Sequence, residues 1–233
     1  MKPLPCQTSD EILLGDGATA FAFAAGSGAL LGVRGEGAEG VALLAGENWR
    51  LVLAGTAAAP RSVGPADMAE FTVVSRAPRE AVFRWSGAGA DAPEAQVTVH
   101  WCSEDGFLSG RLSYTGFTPQ AAVEKILFPR VAFEADADTD LLLPLGLGML
   151  VHRAPEALGK NGGPFTSRYL AGGGVQCCAC IRAGRGLYFD TRDPDGYIKD
   201  SQFELLDGGT GIRYSGGHPL PRETAAQTSY DLP

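Results

Sequence analysis

Two carboxylates and a ring of polar and aromatic side chains crowd one short stretch, Gly186-Leu-Tyr-Phe-Asp-Thr-Arg-Asp-Pro-Asp-Gly-Tyr-Ile-Lys-Asp200. Its centre, Asp193-Pro194-Asp195-Gly196, has the residues of a reverse turn. Pro194 presets φ for the second position, Asp193 accepts backbone N–H bonds at the first, and Gly196 supplies the left-handed residue that reverses the chain. Around those carboxylates stand Tyr188, Thr191, Arg192, Tyr197 and Lys199. Charged hydrogen-bonding groups interleaved with aromatic rings suit a sugar, whose hydroxyls take paired partners while its C–H faces stack on rings. Ordinary turn chemistry on a solvated hairpin explains the same residues without a ligand.

The three histidines, His100, His152 and His218, bear on a different chemistry. Epimerising an aldose needs a general acid and a general base placed about the ring oxygen and the anomeric hydroxyl. His152 precedes an irregular region and His218 sits in Gly216-Gly-His-Pro-Leu-Pro221, with Glu204 as a carboxylate partner, but no spaced pair of His motifs stands out. Cys177, Cys178 and Cys180 suggest a metal, yet on a strand Cys178 and Cys180 face one way and Cys177 the other. With no second Cys pair or spaced His pair to complete a tetrahedral set, these cysteines are expected to be small core residues and no metal site is expected. The acidic run Glu134-Ala-Asp-Ala-Asp-Thr-Asp140 and the Asp193/Asp195 turn fail the spacing of a calcium loop: aligning Gly196 with its glycine puts Thr191 and Gln202 at the terminal ligand positions. No Gly-x-Ser-x-Gly elbow and no His-Glu-x-x-His occurs. Ala171-Gly-Gly-Gly-Val175 lacks the Lys-Ser/Thr and the following helix of a phosphate loop. No cofactor is expected.

The elements that must hold these groups are strands. Period-two alternation recurs along the chain and helical periodicity is nearly absent. Ala18 to Ala24 turns at Gly26-Ser27-Gly28 into Ala29 to Arg34. Strands follow at Val41 to Leu44, Trp49 to Leu53 and Phe71 to Ser75. Ala81, Phe83 and Trp85 share one strand face, Val97, Val99 and Trp101 another, and Glu104-Asp105-Gly106 joins the latter strand to Phe107 through Tyr114 as a hairpin. Val123 to Ala135 is the longest run, and Pro129 within it implies an edge, a bulge or a bend. Strands at Leu141 to Leu143, Gly148 to His152, Val175 to Ile181, Gly186 to Thr191, Tyr197 to Leu206, Gly211 to Ser215 and Thr224 to Tyr230 bring the set to about fifteen, more than the roughly seven of an immunoglobulin-like domain. The expected fold is all-β, a large two-sheet sandwich, with Trp49, Trp85 and Trp101 in its core. Ala154 to Gly174 is expected to be irregular, and a loop of that length is usually functional or mobile.

A chain of 233 residues buries roughly 70 to 75% of its unfolded surface, enough for a core without disulfides or metals. No linker composition divides it, so residues 1–233 are expected to form one domain. A formal net charge of -8 and a pI near 4.9 oppose attraction to phosphate backbones or anionic lipid, and nucleic acid and membrane are not expected partners. The first ten residues lack an apolar signal core. Five cysteines, an odd and crowded set, do not form a disulfide framework. A cytoplasmic location is expected.

Leu141-Leu-Leu-Pro-Leu-Gly-Leu-Gly148, Arg168-Tyr-Leu-Ala171 and the Gly186–Gly196 segment with Lys199 resemble the N-terminal sandwich of a family of little-characterised glycoside hydrolases. In that family a galactose-mutarotase-like supersandwich precedes a (β/α)₈ barrel. The resemblance implies a non-catalytic carbohydrate-associated domain, with the catalytic carboxylates in a barrel beyond Pro233. Thr191-Arg192 departs from the small residue and His expected in the family's Asp-Pro-Asp pattern, and Cys177-Cys-Ala-Cys180 replaces an apolar run. Two other readings stand beside it: a self-contained aldose epimerase, and a docking domain whose apolar segment Leu141–Leu150 meets a partner. If Ala154–Gly174 and the hairpin emerge at one end of a sheet, Arg168, Tyr169, Asp193, Asp195, Tyr197 and Lys199 form one carbohydrate-binding rim, with Arg168 paired to an aspartate of the turn.

Overall fold

The computed structural model describes residues 10–15, 19–35, 42–54, 61–169, 176–191, 198–220 and 230–231. In chain order its first ten strands are β1 (Glu11–Gly15), β2 (Thr19–Ala24), β3 (Leu30–Gly35), β4 (Leu43–Leu44), β5 (Arg50–Leu53), β6 (Arg61–Val63), β7 (Glu70–Ala77), β8 (Glu80–Ser86), β9 (Gln96–Glu104) and β10 (Phe107–Thr115). Then come β11 (Val123–Glu134), β12 (Thr139–Leu143), β13 (Met149–Val151), helix α1 (Ala154–Asn161), β14 (Phe165–Arg168), β15 (Cys177–Arg182), β16 (Arg185–Asp190), β17 (Asp200–Leu205), β18 (Gly211–Pro219) and β19 (Tyr230–Asp231).

Among the described residues every strand pairing is antiparallel, as short hairpin connections allow. The central sheet has seven strands in the order β14-β17-β18-β11-β5-β6, with β4 added on β11. Three smaller sheets, β1-β2-β3, β19-β10-β9-β8-β7 and β13-β12-β15-β16, complete the architecture. Core packing shows which sheet faces which. Leu51, Ile126 and Phe128 of the central sheet, with Trp49 just before β5, pack with Phe83, Trp85, Val99 and Trp101 of the five-stranded sheet and Phe23 of the three-stranded one. Phe133, Phe203 and Tyr214 pack with Leu141, Cys178 and Cys180 of the four-stranded sheet. One face of the central sheet is thereby covered at both ends of its span.

Several local expectations hold. Glu104 pairs with Phe107 around Asp105 and Gly106, whose φ values of 50° and 79° are those of a two-residue hairpin turn. All three tryptophans are buried, and Cys178 and Cys180 face the core while Cys177 does not. Pro129 lies at a bulge: the β11–β18 register shifts between Leu127 and Arg130, so the missing N–H falls where the ladder is already irregular. Gly110 stands opposite Trp101, and a Cβ there would come within 2.5 Å of Trp101 and 2.6 Å of Phe128. Glycine lets those two rings, 5.3 Å apart at their centroids, close over the strand.

The stretch expected to be irregular departs from expectation. It contains α1 and β14. The helix begins after Arg153 in a left-handed conformation, carries Pro155 in its first turn and ends at left-handed Gly162. Only Ala154 and Leu158 are buried, one turn apart. Eight residues with two core contacts and Gly159 inside leave too little periodic signal to identify a helix from sequence.

Candidate functional site

The other face of the central sheet is polar across five of its strands. On β17, Asp200, Gln202 and Glu204 alternate with buried Phe203, and on β18 Arg213, Ser215 and Gly217 alternate with Ile212 and Tyr214. Register places Arg168 opposite Asp200, Gln202 opposite Ser215, Ser215 opposite Arg130, and Leu127 between Gly217 and Arg50. Period two in each strand thus builds one continuous surface from residues far apart in the chain.

Ion pairs stitch this surface together. Asp200, whose side chain is 1% exposed, accepts from Arg168 Nε at 2.8 Å and Nη2 at 3.3 Å, and from Lys125 Nζ at 2.8 Å. Burial alone would raise the Asp200 carboxyl, but the hydrogen bonds from Arg168 and Lys125 outweigh it and hold it below the usual carboxylate range. Lys125 reaches across β18 because Gly217 has no side chain: a Cβ there would meet Lys125 Cε at 2.8 Å and Asp200 Cβ at 3.1 Å.

A second cluster lies toward β5. Glu47, on the connection from β4 to β5, accepts from Arg50 Nε at 2.9 Å and also from Arg130 Nη1. Arg130 is only 8% exposed and donates from Nε to Ser215 Oγ at 3.2 Å, while Arg50 donates to Ser62 Oγ at 2.8 Å. Burial would raise the Glu47 carboxyl, but the Arg50 bond and the charges of Arg130 and Arg50 lower it on balance. The Arg130 guanidinium is shifted down, first by burial, with Arg213 and Arg50 adding like-charge repulsion against the attraction of Glu47. Arg213 pairs with Glu204 at 3.1 Å.

Of the residues expected at one rim, Arg168, Tyr169 and Lys199 do come together at the β14–β17 edge. Tyr169 N donates to Lys199 O at 2.9 Å, and Lys199 Nζ lies 5.3 Å from the Tyr169 ring centroid and 3.0 Å from Gln176 Oε1. Lys199 is buried rather than on display. Arg168 has its carboxylate partner in Asp200; Asp193, Asp195 and Tyr197 lie outside the described residues. Sequence reasoning missed Glu47, Arg50, Lys125, Arg130, Asp200 and Arg213. Alternation in Asp200-Ser-Gln-Phe-Glu204 and Arg213-Tyr-Ser215 was the available signal for one polar face.

The histidines take no part in this surface. His152 Nδ1 lies 2.9 Å from Asp140 Oδ2 beside the four-stranded sheet, and its side chain is 70% exposed. His218 alternates away from Gly217 and its Nε2 lies 3.0 Å from Phe128 O. Burial pushes the Cys178 and Cys180 thiols up to about 12, so both remain protonated near neutrality. In the apolar segment, Leu147, Met149 and Leu150 are exposed whereas Leu141 and Leu143 are core. Among the described residues, no helix is long and apolar enough to cross a membrane.

No family model matches the chain, and no curated protein does. Solved structures do. The alpha-N-acetylgalactosaminidase NagBb from Bifidobacterium bifidum, in complex with GalNAc, aligns with a TM-score of 0.62 at 16% identity over 89% of this chain and 33% of that one. A galactose mutarotase related enzyme from Lactobacillus acidophilus aligns with a TM-score of 0.53 at 10% identity over 95% of this chain and 92% of that one. The chain therefore spans about a third of NagBb and nearly all of the mutarotase-related enzyme. At these identities the likeness establishes the fold, an all-β sandwich of the galactose-mutarotase type.

Proposed function

We propose that this chain is a non-catalytic, sugar-contacting β-sandwich of a carbohydrate-active protein, a glycoside hydrolase whose catalytic carboxylates lie in another domain. One observation carries the non-catalytic part: each carboxylate in the ion-pair network of the polar face, Glu47, Asp200 and Glu204, is bound to an arginine or lysine. A general acid must hold a proton near neutral pH, and Glu47 and Asp200 are instead held ionised. Paired and ionised, Glu47 and Asp200 can help orient hydroxyls but have no proton to deliver. The sugar part rests on the fold shared with a GalNAc-bound glycosidase and a mutarotase-related enzyme. Arg168, Tyr169 and Lys199, which the structure brings together, are the described part of the proposed sugar-contacting rim, to which the sequence adds Asp193, Asp195 and Tyr197, and the Arg168–Asp200 pair is its clamp.

Two measurements test this reading. Galactose and N-acetylgalactosamine oligosaccharides, titrated into the ¹⁵N-labelled chain, should shift amides of β17 and β18. Polarimetry on fresh α-galactose should show no acceleration over buffer. Mutarotation accelerated by the chain and abolished by His152→Ala would replace this proposal with the epimerase.

A further inference from the structure

We infer that the polar face of the central sheet takes an acidic saccharide, a sugar carrying a carboxylate such as a uronate, seated against Arg50, Arg130 and Arg213. The inference rests on the sugar-contacting reading and adds the ligand's charge to it.

Charge supplies the first argument. Among the described residues, the ion pairs crossing this face join Arg50, Lys125, Arg130, Arg168 and Arg213 to Glu47, Asp200 and Glu204, and the charge of Asp67 also acts on Arg50. The chain as a whole carries a formal -8. Among the described residues, these guanidinium and ammonium groups of an acidic chain are thus gathered on one sheet face, where they set a locally positive field.

Donors and acceptors supply the second. Glu47 and Asp200 are each bonded by two cationic side chains, so their acceptor capacity is largely taken. Arginine presents five N–H donors in a rigid fork, and the named bonds of Arg130 and Arg213 engage only part of theirs. Glu204 apart, the charged acceptors of the face are taken while guanidinium donors remain. A carboxylate, which only accepts and takes a bidentate guanidinium, matches the remaining donors better than a neutral hydroxyl does.

Placement supplies the third. Register sets Arg213 opposite Ala132, one step diagonal from the Arg130–Ser215 pair, and sets Arg50 opposite Leu127 on the far side of β11. Ala132, Ser215 and Gly217 form a floor of small residues between longer cationic side chains. Arg130 is nine-tenths buried with Glu47 bonded to it and Arg213 and Arg50 as like charges nearby, so a second anion beside the latter two offsets their repulsion.

Calorimetry at low salt, with the intact chain and matched ligands, tests it: trigalacturonate, the corresponding neutral galactotriose, and sodium sulfate alone. Trigalacturonate is expected to bind at least about tenfold more tightly than galactotriose, with affinity falling as salt rises. Arg213→Ala, at a position about one-third exposed and outside the core, should weaken trigalacturonate by about tenfold while the thermal midpoint holds. Glu204→Gln, which removes a competing carboxylate, should tighten it. Equal affinity for the acidic and neutral trisaccharides overturns the inference and leaves the sugar-contacting reading standing. Binding of neither overturns both. Sulfate binding as tightly as trigalacturonate reduces the site to an anion site without saccharide recognition, and an unchanged Arg213→Ala removes the proposed seat.

Discussion

Lys125 of β11 and Asp200 of β17 meet at 2.8 Å across the strand that separates them, over the bare Cα of Gly217. Residues 75 apart in sequence are joined by an ion pair that exists because a third residue contributes nothing but backbone. Gly217→Val should therefore break the pair and lower stability by about 1–3 kcal/mol, since the new side chain must displace Lys125 and press on Asp200. Urea unfolding measures the loss; a midpoint equal to that of the parent protein would show that Lys125 is not constrained at Gly217.

Asp200 and Glu47 make stability depend on pH in a definite direction. Both carboxyls are held below the usual range in the folded chain, so the native state binds fewer protons than the unfolded one as acid is added. Their stabilisation is complete above the ordinary carboxylate range and is lost as pH falls through the lowered folded values. Urea midpoints recorded downward from pH 7 should decline through the acidic range. Asp200→Asn should flatten that decline, and an identical pH profile for variant and parent would rule out the linkage at this site.

The two glutamates paired to arginines on this face should differ sharply in worth. Glu47→Ala leaves the nine-tenths buried Arg130 without its carboxylate and should cost about 3–5 kcal/mol, or less where Arg130 turns to solvent. Glu204→Ala removes a half-exposed partner from an Arg213 that still reaches solvent and should cost under about 1 kcal/mol. Chemical denaturation of both variants decides; equal losses would contradict the burial argument.

Gly110→Ala should strain the core without touching the polar face. Its methyl would collide with the rings of Trp101 and Phe128, and such overpacking typically costs about 1–3 kcal/mol. The near-ultraviolet circular dichroism of the tryptophans reports the rearrangement, and an unaltered spectrum at parental stability would refute the contact.

Thiol labelling should separate neighbours on one strand. Cys178 and Cys180, with thiols pushed up to about 12 by burial, should resist iodoacetamide at pH 8 in the native protein and react fully in urea. Mass mapping of the labelled cysteines reads this directly, and rapid native labelling of either residue would show that the four-stranded sheet opens.

The sequence by itself determined the strand content, the hairpin at Asp105-Gly106, the buried tryptophans, the facing of Cys178 and Cys180 and the disturbance at Pro129. Each depends on neighbours within a few residues: alternation decides which side chains share a face, and turn residues decide where the chain reverses. The eight-residue helix escaped because two buried positions, Ala154 and Leu158, make no period. Only the tertiary structure decided the polar face. Asp200, Gln202 and Glu204 alternate visibly, yet nothing local says that Lys125 will cross Gly217 to reach Asp200, or that Glu47 will sit between Arg50 and Arg130, 83 residues from the latter. Such contacts are set by the order in which strands lie side by side, β17 against β18 against β11 against β5. Strand order follows from burying two separate apolar clusters on the opposite face, a cooperative property of the whole chain that no single segment carries.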